Sequence, residues 1–308
     1  MREDGGTGVA VLGVFAADAA YRIERLPRMG ETVLARSFAL GPGGKGSNQA
    51  VAAGRLGARV SMIAKLGDDI FADLAERTWR EAGVGFEGVR NPALKTGSAG
   101  ILVNDETGDN VVIVAPEAGS TMSAADVDAA AGAIERATVF LTQLEQPLEA
   151  ARRGLEIARE AGRTTILNPA PAAPLDDALL SLCDWVTPNE TEAEALTGIE
   201  VDGIEAGERA GRALIDRGCG GAIVTLGEAG ALLVTPGDAV HVAAIRAGPV
   251  VETTGAGDAF NGGFAVALSE GREPTKAVCF GCAVAGLSVT RGGAAASMPS
   301  RAEVDALR

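Results

Sequence analysis

An acidic residue, Asp258, follows a turn with two glycines near the carboxyl end of the sequence. The turn reads Thr253-Thr254-Gly255-Ala256-Gly257, and the apolar run Asp258–Leu268 after it predicts a helix. Glycines let a backbone approach a ligand closely, and the free N–H groups of a helix start attract anions. A carboxylate beside an anion site suits phosphoryl transfer to a hydroxyl group. The alternative is that Asp258 only caps the helix.

A second glycine-rich turn, Gly41–Gly46, leads into a predicted helix over Lys45–Leu56. It matches the G-x-G-x-x-G pattern of dinucleotide-binding proteins, but it follows an extended insert instead of the first strand that this pattern requires. Nor does it have the spacing of a Walker A phosphate loop. Lys45 and Asn48 lie one helical turn apart at this helix start and are suited to holding hydroxyl groups. A plain strand-to-helix turn remains the alternative.

Three further carboxylates follow predicted strands, where parallel α/β sheets bind ligands. Asp18 follows the first strand, and Glu145 follows the strand Val139–Gln143. Glu192 lies three residues after Asn189 at a helix start, so the two share a face and could hold a hydrated Mg²⁺ ion. The same spacing fits a capping box, and Asp18 and Glu145 could equally be solvated loop charges.

The composition limits the possible partners. With 27 Lys and Arg against 41 Asp and Glu, the net charge is −14 and no basic run occurs. This argues against nucleic acid or an anionic membrane as a partner. No segment approaches the roughly 18 uncharged apolar residues of a membrane span. Residues 1–6 lack an apolar signal region, so a cytoplasmic location is expected.

The single histidine and the few cysteines of the sequence make carboxylates the better candidates for catalysis. The only histidine, His241, lies in an alternating stretch that predicts a surface strand. A Ser-His-Asp hydrolase or a His-rich metal site is therefore not expected, and acid–base work falls to carboxylates or lysine. Cys279 and Cys282 form a C-x-x-C pattern inside a helical apolar stretch with no second pair and no nearby histidine. We expect these to be buried, reduced cysteines.

Strand-like and helix-like runs alternate over most of the chain, which predicts parallel βαβ units. The predicted strands are Val9–Val14, Val60–Lys65, Val139–Gln143, Thr164–Leu167, Trp185–Thr187 and Ala222–Leu226. The predicted helices are Lys45–Leu56, Phe71–Ala82, Ala124–Ile134, Leu148–Glu160, Thr191–Leu196, Ala206–Arg217, Asp258–Leu268 and Thr275–Val289. Two stretches interrupt the alternation: the extended segment Ala16–Leu40 and a hairpin at Thr96–Ala115. They could form a small sheet over the main one that shields a reaction from water.

Together these segments resemble the ribokinase branch of the PfkB carbohydrate-kinase family. Gly43–Ala50 (GGKGSNQA) is similar to the first family signature, and Thr253–Phe260 (TTGAGDAF) is similar to the second. The run TPNETEAEALTG from Thr187 resembles the Asn-x-x-Glu metal motif of the family. Asn168–Ala172 (NPAPA) and Val224–Gly230 (VTLGEAG) also fit. The matches occur in order across almost the whole chain.

The resemblance implies a single ribokinase-like domain over residues 1–308. Its fold would be a three-layer α/β/α arrangement with a central, mostly parallel sheet and a β-sheet lid at about 16–40 and 96–115. The implied reaction is ATP-dependent phosphorylation of the terminal hydroxymethyl group of a pentose, with D-ribose going to ribose 5-phosphate as the first expectation. The implied partners are the sugar and ATP, with no nucleic acid and no membrane, and the implied assembly is a homodimer through the lid.

The resemblance also assigns roles to individual residues. Asp258 would be the base, and the N–H groups of Gly255, Ala256 and Gly257 would form the anion hole. The sugar would contact Asp18, Gly44, Lys45, Asn48, Glu145 and Asp258. ATP would contact Asn189, Thr225, Leu226, Gly227, Gly257 and Cys282. Glu192 would hold Mg²⁺ through water, and a monovalent cation, K⁺, would lie at Glu252, Thr254, Ser288, Arg291, Gly293 and Ser297, mostly on backbone oxygens.

Two positions depart from the family pattern. The family typically carries Asn two residues before the aspartate that matches Asp18, whereas this chain has Ala16. A site without that donor could accept a different sugar, so a kinase for a deoxypentose, a ketohexose or a nucleoside is an alternative. Glu252 replaces the usual Asp, which would shift or weaken the K⁺ site.

Two alternatives come from other functional classes. One is a non-catalytic sugar- or nucleotide-binding regulator on the same fold, which would be expected to lack the base or the glycines of the anion hole. Both are intact in this sequence. The other is a dehydrogenase that uses Gly41–Gly46, which would bind NAD and not ATP.

Overall fold

The computed structural model describes residues 8–307. Residues 1–6, on which the expected cytoplasmic location depends, lie outside the described residues. The strands are β1 (Gly8–Leu12), β2 (Ala16–Ile23), β3 (Ser37–Gly43), β4 (Arg59–Ile63), β5 (Lys65–Leu66), β6 (Val84–Phe86), β7 (Val89–Arg90), β8 (Ser98–Asn104), β9 (Asn110–Ala115), β10 (Val139–Thr142), β11 (Thr164–Leu167), β12 (Trp185–Val186), β13 (Gly221–Thr225), β14 (Ala231–Val234) and β15 (Ala239–Val242). The helices are α1 (Lys45–Arg55), α2 (Ile70–Glu81), α3 (Ala124–Ala129), α4 (Ala131–Arg136), α5 (Leu148–Glu160), α6 (Asp177–Leu180), α7 (Glu190–Thr197), α8 (Ile204–Asp216), α9 (Ala256–Ser269), α10 (Pro274–Ser288) and α11 (Arg301–Asp305).

The main sheet lies at the centre of the molecule. Within residues 8–307 it has nine strands in the order β15-β14-β13-β12-β11-β10-β1-β4-β6. The strands from β6 across to β13 pair in parallel, whereas β14 and β15 are antiparallel at one edge. The predicted parallel βαβ arrangement is therefore confirmed. His241 is exposed on the edge strand β15, as its alternating sequence predicts.

Each face of the main sheet carries its own apolar core. Val9 and Val11 of β1 belong to one buried cluster, whereas Ala10 and Leu12 belong to another, because successive side chains of a strand point to opposite faces. The first cluster includes residues of α1, α2, α9 and α10. The second includes residues of α3, α4, α5 and α6. The result is the expected three-layer α/β/α fold.

The two stretches that interrupt the alternation form a small sheet in the order β3-β2-β8-β9. Strand β2 follows β1 after only three residues, Gly13–Phe15, so the small sheet adjoins the carboxyl ends of the main strands. Strand β9 lies at its edge, and the apolar side chains of Val111–Val114 are 41–65% exposed. The small sheet therefore presents an apolar edge strand.

The structure corrects several details of the sequence-based assignment. Strand β4 ends at Ile63, because Lys65 and Leu66 pair instead with β7 in a separate ladder. The short elements β6, β7, β14, α6 and α11 have no counterpart among the sequence-based predictions. The expectation of buried cysteines is wrong at Cys279, which is exposed on α10, while Cys282 is buried. None of the helices in the described residues is long and apolar enough to cross a membrane.

Candidate active site

The turn before α9 places Asp258 inside the helix and not at its cap. Gly255 is the N-cap, with a left-handed φ of 79°, and the helix begins at Ala256. The prediction that it begins at Asp258 is wrong by two residues, because a glycine at positive φ lets the chain enter the helix earlier. Asp258 is the third helical residue, and no side chain caps this helix. The alternative in which Asp258 only serves as a cap is therefore also wrong.

Two side-chain amides of α1 bind the Asp258 carboxylate. Asn48 donates from Nδ2 to Oδ2 at 2.9 Å, and Gln49 donates from Nε2 to Oδ1 at 3.0 Å. Asp258 is only 7% exposed. Burial raises the pKa of Asp258, while the charge of Lys45 and the two amide hydrogen bonds lower it. These contacts favour an ionised carboxylate that can accept a proton.

The main-chain N–H groups at the start of α9 are partly free. The amide of Ala256 donates to the Thr253 carbonyl at 3.1 Å and is engaged in the turn. The amides of Gly255 and Gly257 have no main-chain acceptor among residues 8–307. A Cβ on Gly257 would meet no atom within 4 Å, so this side of the helix start is open. Free amides at the positive end of a helix dipole suit an anion.

The start of α1 lies against the small sheet. Gly44 has a φ of 87°, and a Cβ there would come within 2.6 Å of the Val14 carbonyl oxygen. A Cβ on Gly43 would collide with the carboxylate of Asp18 on β2. Only glycines therefore allow this loop to pass so close to the small sheet. The close approach brings the aspartate of the small sheet to the end of α1 that carries Lys45.

Three carboxylates surround the start of α1. The Oε2 atom of Glu145 accepts a hydrogen bond from the main-chain N–H of Lys45 at 2.8 Å. Burial raises the pKa of Glu145 to about 7; Asp258 and Asp18 add to this rise, and Lys45 opposes it. Burial also raises the pKa of Asp18 to about 6. The predicted sugar-binding residues Asp18, Gly44, Lys45, Asn48, Glu145 and Asp258 are thus brought together.

An unpartnered acceptor supports a hydroxyl-rich ligand at this site. The Oδ1 atom of Asn48 is buried and has no hydrogen-bond partner among the described residues. A buried polar atom without a partner is unfavourable by about 1–3 kcal/mol. Asp18 and Glu145 also offer acceptors. A ligand that supplies several hydroxyl donors, such as a sugar, would satisfy them.

A cavity of about 620 Å³ opens beside the start of α9. Residues predicted to contact ATP line it, namely Asn189, Thr225, Gly227, Gly257 and Cys282. Leu226 does not line the cavity; it packs with Val224 and Leu232 in an apolar cluster. Ile245 and Phe260 add apolar walls. The size and the mixture of apolar and polar lining suit a nucleotide-sized ligand.

Asn189 and Glu192 form the capping box that their spacing allows. The Asn189 side chain accepts from the Glu192 amide at 2.8 Å, and Glu192 Oε2 accepts from the Asn189 amide at 2.9 Å. Burial raises the pKa of Glu192, and the nearby charges of Asp258 and Glu190 add to this effect while Lys45 opposes it. The second oxygen of Glu192 makes no hydrogen bond within residues 8–307. A half-buried carboxylate with one open oxygen fits a hydrated cation.

Four of the predicted monovalent-cation residues lie at the end of α10 or in the loop after it, and Glu252 contacts this loop. Glu252 Oε2 accepts from the Gly293 amide at 2.9 Å, so its longer side chain ties the two loops together. The Arg291 side chain donates a hydrogen bond from Nη2 to Glu303 Oε1 at 2.7 Å. Only the main chain of Arg291 is therefore available to a cation. Ser288 and Ser297 are buried, and Thr254 is exposed at the turn. This oxygen-rich loop suits a hard cation.

A buried amide chain behind Asp258 escaped the sequence analysis. Gln143 donates from Nε2 to Gln49 Oε1 at 2.5 Å, and Gln49 donates to Asn168 Oδ1 at 3.1 Å. Asn168 donates in turn to the Thr187 carbonyl at 3.0 Å. Gln49 and Asn168 lie within the GGKGSNQA and NPAPA runs, which were the available signal. No spacing rule joins residues 119 positions apart.

Comparisons with known proteins relate the chain to one family. The model of the pfkB family of carbohydrate kinases matches residues 7–301. A deoxyribokinase of Salmonella typhi is 39% identical over 95% of each chain, and a ribokinase of Haemophilus influenzae is 37% identical over 96% of each. A solved structure of Arabidopsis thaliana ribokinase complexed with ribose and ATP has a TM-score of 0.91 at 32% identity and covers 98% of both chains.

Proposed function

The chain belongs to the pfkB family of carbohydrate kinases and is an ATP-dependent sugar kinase, and on that premise we propose that it phosphorylates the terminal hydroxymethyl group of a pentose. D-ribose, giving ribose 5-phosphate, is the first acceptor to consider. The observation that carries this proposal is the position of Asp258. Its carboxylate lies one residue after the open Gly257 amide and shares Asn48 with the hydroxyl-binding site.

The proposed mechanism follows from this arrangement. Asp258 accepts the proton of the acceptor hydroxyl, whose oxygen attacks the γ-phosphorus as the bond to ADP breaks. The transition state is loose, so positioning and charge neutralisation matter more than a strong base. The amides of Gly255 and Gly257 stabilise charge on the transferring group. The small sheet covers the sugar side and keeps water from competing as the acceptor.

Two cations complete the proposal. Glu192 would hold Mg²⁺ through water, with Asn189 beside the ATP phosphates, and the loop formed by residues 288–297 with Glu252 would hold K⁺. Bound there, the cations would neutralise phosphate charge and strengthen the anion site. We expect activity to require Mg²⁺ and to rise with K⁺. Assays after chelation and in K⁺-free buffer test the two requirements separately.

Replacing the base tests the proposed mechanism. We expect Asp258→Asn to lower kcat by roughly 10²–10⁴ with little change in KM, the range for general acid–base groups. A non-catalytic regulator would bind sugar and ATP, but neither the wild type nor the variant would convert them to products. Near-wild-type turnover of Asp258→Asn would refute the assignment of the base.

A deoxypentose is the second candidate acceptor. Ala16 is 8% exposed and two residues before Asp18 on β2, so both side chains share one face of the strand. Its methyl group offers no donor to a sugar hydroxyl. A site without that donor discriminates less against an acceptor that lacks a hydroxyl. The similarity to a deoxyribokinase supports the same candidate.

The acceptor is identified by ADP release with a panel of D-ribose, 2-deoxy-D-ribose, a ketohexose and a nucleoside. The highest kcat/KM for D-ribose would remove the deoxypentose candidate. If 2-deoxy-D-ribose is preferred, Ala16→Asn should shift the ratio of the two kcat/KM values toward ribose. A ratio that does not change in Ala16→Asn would dissociate this position from sugar choice.

We also propose a homodimer through the small sheet. Strand β9 ends the sheet, and Ile113 on it is 65% exposed. An exposed apolar edge strand favours pairing with a second copy. Light scattering should show a dimer at micromolar concentration, and Ile113→Lys should weaken it. A wild-type monomer at that concentration would contradict the proposal.

A further inference from the structure

Gln49 connects the base to the rest of the site from a fully buried position. It is 0% exposed, on the first turns of α1. Both hydrogens of its Nε2 group are used, one on Asp258 Oδ1 at 3.0 Å and one on Asn168 Oδ1 at 3.1 Å. Its Oε1 atom accepts from Gln143. A fully buried amide with every group bonded has one orientation available.

The direction of this hydrogen-bond chain is set at its far end. Asn168 Nδ2 donates to the main-chain carbonyl of Thr187, which can only accept. The Oδ1 atom of Asn168 must therefore face Gln49, so Gln49 must present its NH₂ group there and to Asp258. An ionised carboxylate is the matching acceptor. A protonated Asp258 would have to keep its proton on Oδ2, where it would face the donating Nδ2 group of Asn48.

A close helix crossing brings the two side chains within reach. Gly262 lies four residues after Asp258 on the same face of α9. A Cβ there would come within 2.6 Å of the Ala52 Cβ and 2.8 Å of the Gln49 carbonyl oxygen. Only a glycine allows α1 to approach α9 this closely. The contact between Gln49 and Asp258 is thus fixed by backbone packing as well as by the amide chain.

We propose that Gln49 is a positioning residue for the base, which holds the Asp258 carboxylate ionised and in one orientation at the start of α9. The inference rests on the proposed role of Asp258. Gln49 itself touches neither the sugar nor ATP in this proposal. The residue acts through Asp258, and Gln143 and Asn168 hold it in place.

Other charges act on Asp258 from each element around it. Lys45 at the start of α1 favours its ionised form. Glu145 before α5 and Glu192 on α7 oppose it by like-charge repulsion, and Asp18 on β2 acts on Glu145. Asp258 therefore stays ionised only because a few hydrogen-bond donors and Lys45 offset the repulsion from several carboxylates. Loss of the Gln49 donor should shift the balance toward the protonated form.

The experiment compares wild type, Gln49→Leu and Gln49→Glu, with Ser47→Ala as the matched control. Ser47 is also fully buried on α1 and accepts from Trp79 Nε1 at 3.0 Å, but it makes no bond to Asp258. Two readouts are taken: the acid limb of the kcat–pH profile and the ¹³C NMR titration of Asp258 in protein labelled at aspartate Cγ. Asp258→Asn assigns the resonance.

We expect Gln49→Leu to move both the acid limb and the Asp258 titration upward by about one pH unit, the effect of one lost hydrogen bond to a charged group. Gln49→Glu keeps the size of the side chain and should move the titration at least as far, because it places a second carboxyl group against the first. Ser47→Ala should leave both readouts unchanged.

The outcomes separate the two proposals. If Asp258→Asn is inactive but Asp258 titrates in both Gln49 variants as it does in the wild type, the role of Gln49 alone is overturned. An equal shift in Ser47→Ala would also overturn it, because the effect would then reflect general loosening of α1. Near-wild-type turnover in Asp258→Asn would instead remove the base assignment on which the inference rests.

Discussion

Glu145→Gln should make the protein more stable at alkaline pH while weakening its binding of sugar. Glu145 is a half-buried carboxyl group whose pKa burial raises from 4.5 to about 7. Glutamine has nearly the same shape, and its carbonyl oxygen can still accept from the Lys45 amide, which lies 2.8 Å from Oε2 in the wild type. The substitution therefore removes the ionisable group and retains the local hydrogen bond.

The size of the effect follows from the difference in pKa between the two states. Well below pH 4.5 the group is protonated in both the folded and the unfolded chain and does not affect stability. As the pH rises toward about 7, the unfolded chain releases this proton first, so the free energy of unfolding falls. The full difference corresponds to about 3 kcal/mol, of which about 2.5 kcal/mol develops between pH 5 and pH 8. Glu145→Gln should gain that amount over the wild type across this range.

Urea unfolding of both proteins at pH 5 and pH 8 measures the difference. Glu149→Gln is the matched control, since it removes an equal charge from an exposed position in the first turn of α5. Its effect should be the same at both pH values. Activity assays should show a higher KM for the sugar in Glu145→Gln, because a neutral acceptor binds hydroxyl groups more weakly than a carboxylate. A stability difference that does not change with pH would refute the reasoning.

Four further substitutions test separate parts of the site. Gly43→Ala should raise the KM for the sugar and leave the KM for ATP unchanged, because its Cβ would displace the Asp18 carboxylate. The same sugar KM in the variant and the wild type would contradict this. Gly255→Ala should lower the free energy of unfolding by about 1–2 kcal/mol, because it places a non-glycine residue at positive φ. Gly257→Ala should leave the free energy of unfolding nearly unchanged and reduce kcat. Calorimetry measures the first effect, and steady-state rates measure the second. Cys282→Phe should fill part of the nucleotide-sized cavity and raise the KM for ATP only, and a parallel rise in sugar KM would exclude a local effect.

The sequence alone predicted the architecture and most members of the site. Buried apolar strands alternate with amphipathic helices, and this periodicity reflects local geometry that repeats along the chain. The glycine turns at Gly43–Gly46 and Gly255–Gly257 were visible because glycine marks places where the backbone needs positive φ or close approach. The sequence also placed carboxylates such as Glu145 after predicted strands. Because parallel strands bring their carboxyl ends to one edge of a sheet, these carboxylates were expected to lie near each other.

Only the tertiary structure decided what Asp258 contacts. Sequence could not distinguish a helix cap from a base, because both require an acidic residue near a helix start. The folded chain decides it by bringing α1 against α9 at Gly262, so that Asn48 and Gln49 reach the carboxylate from 210 and 209 residues away. Contacts between residues so far apart depend on how helices pack and not on local propensity. The same packing raises the pKa of Glu145 and Asp18, because the environment of a charge is a property of the folded chain.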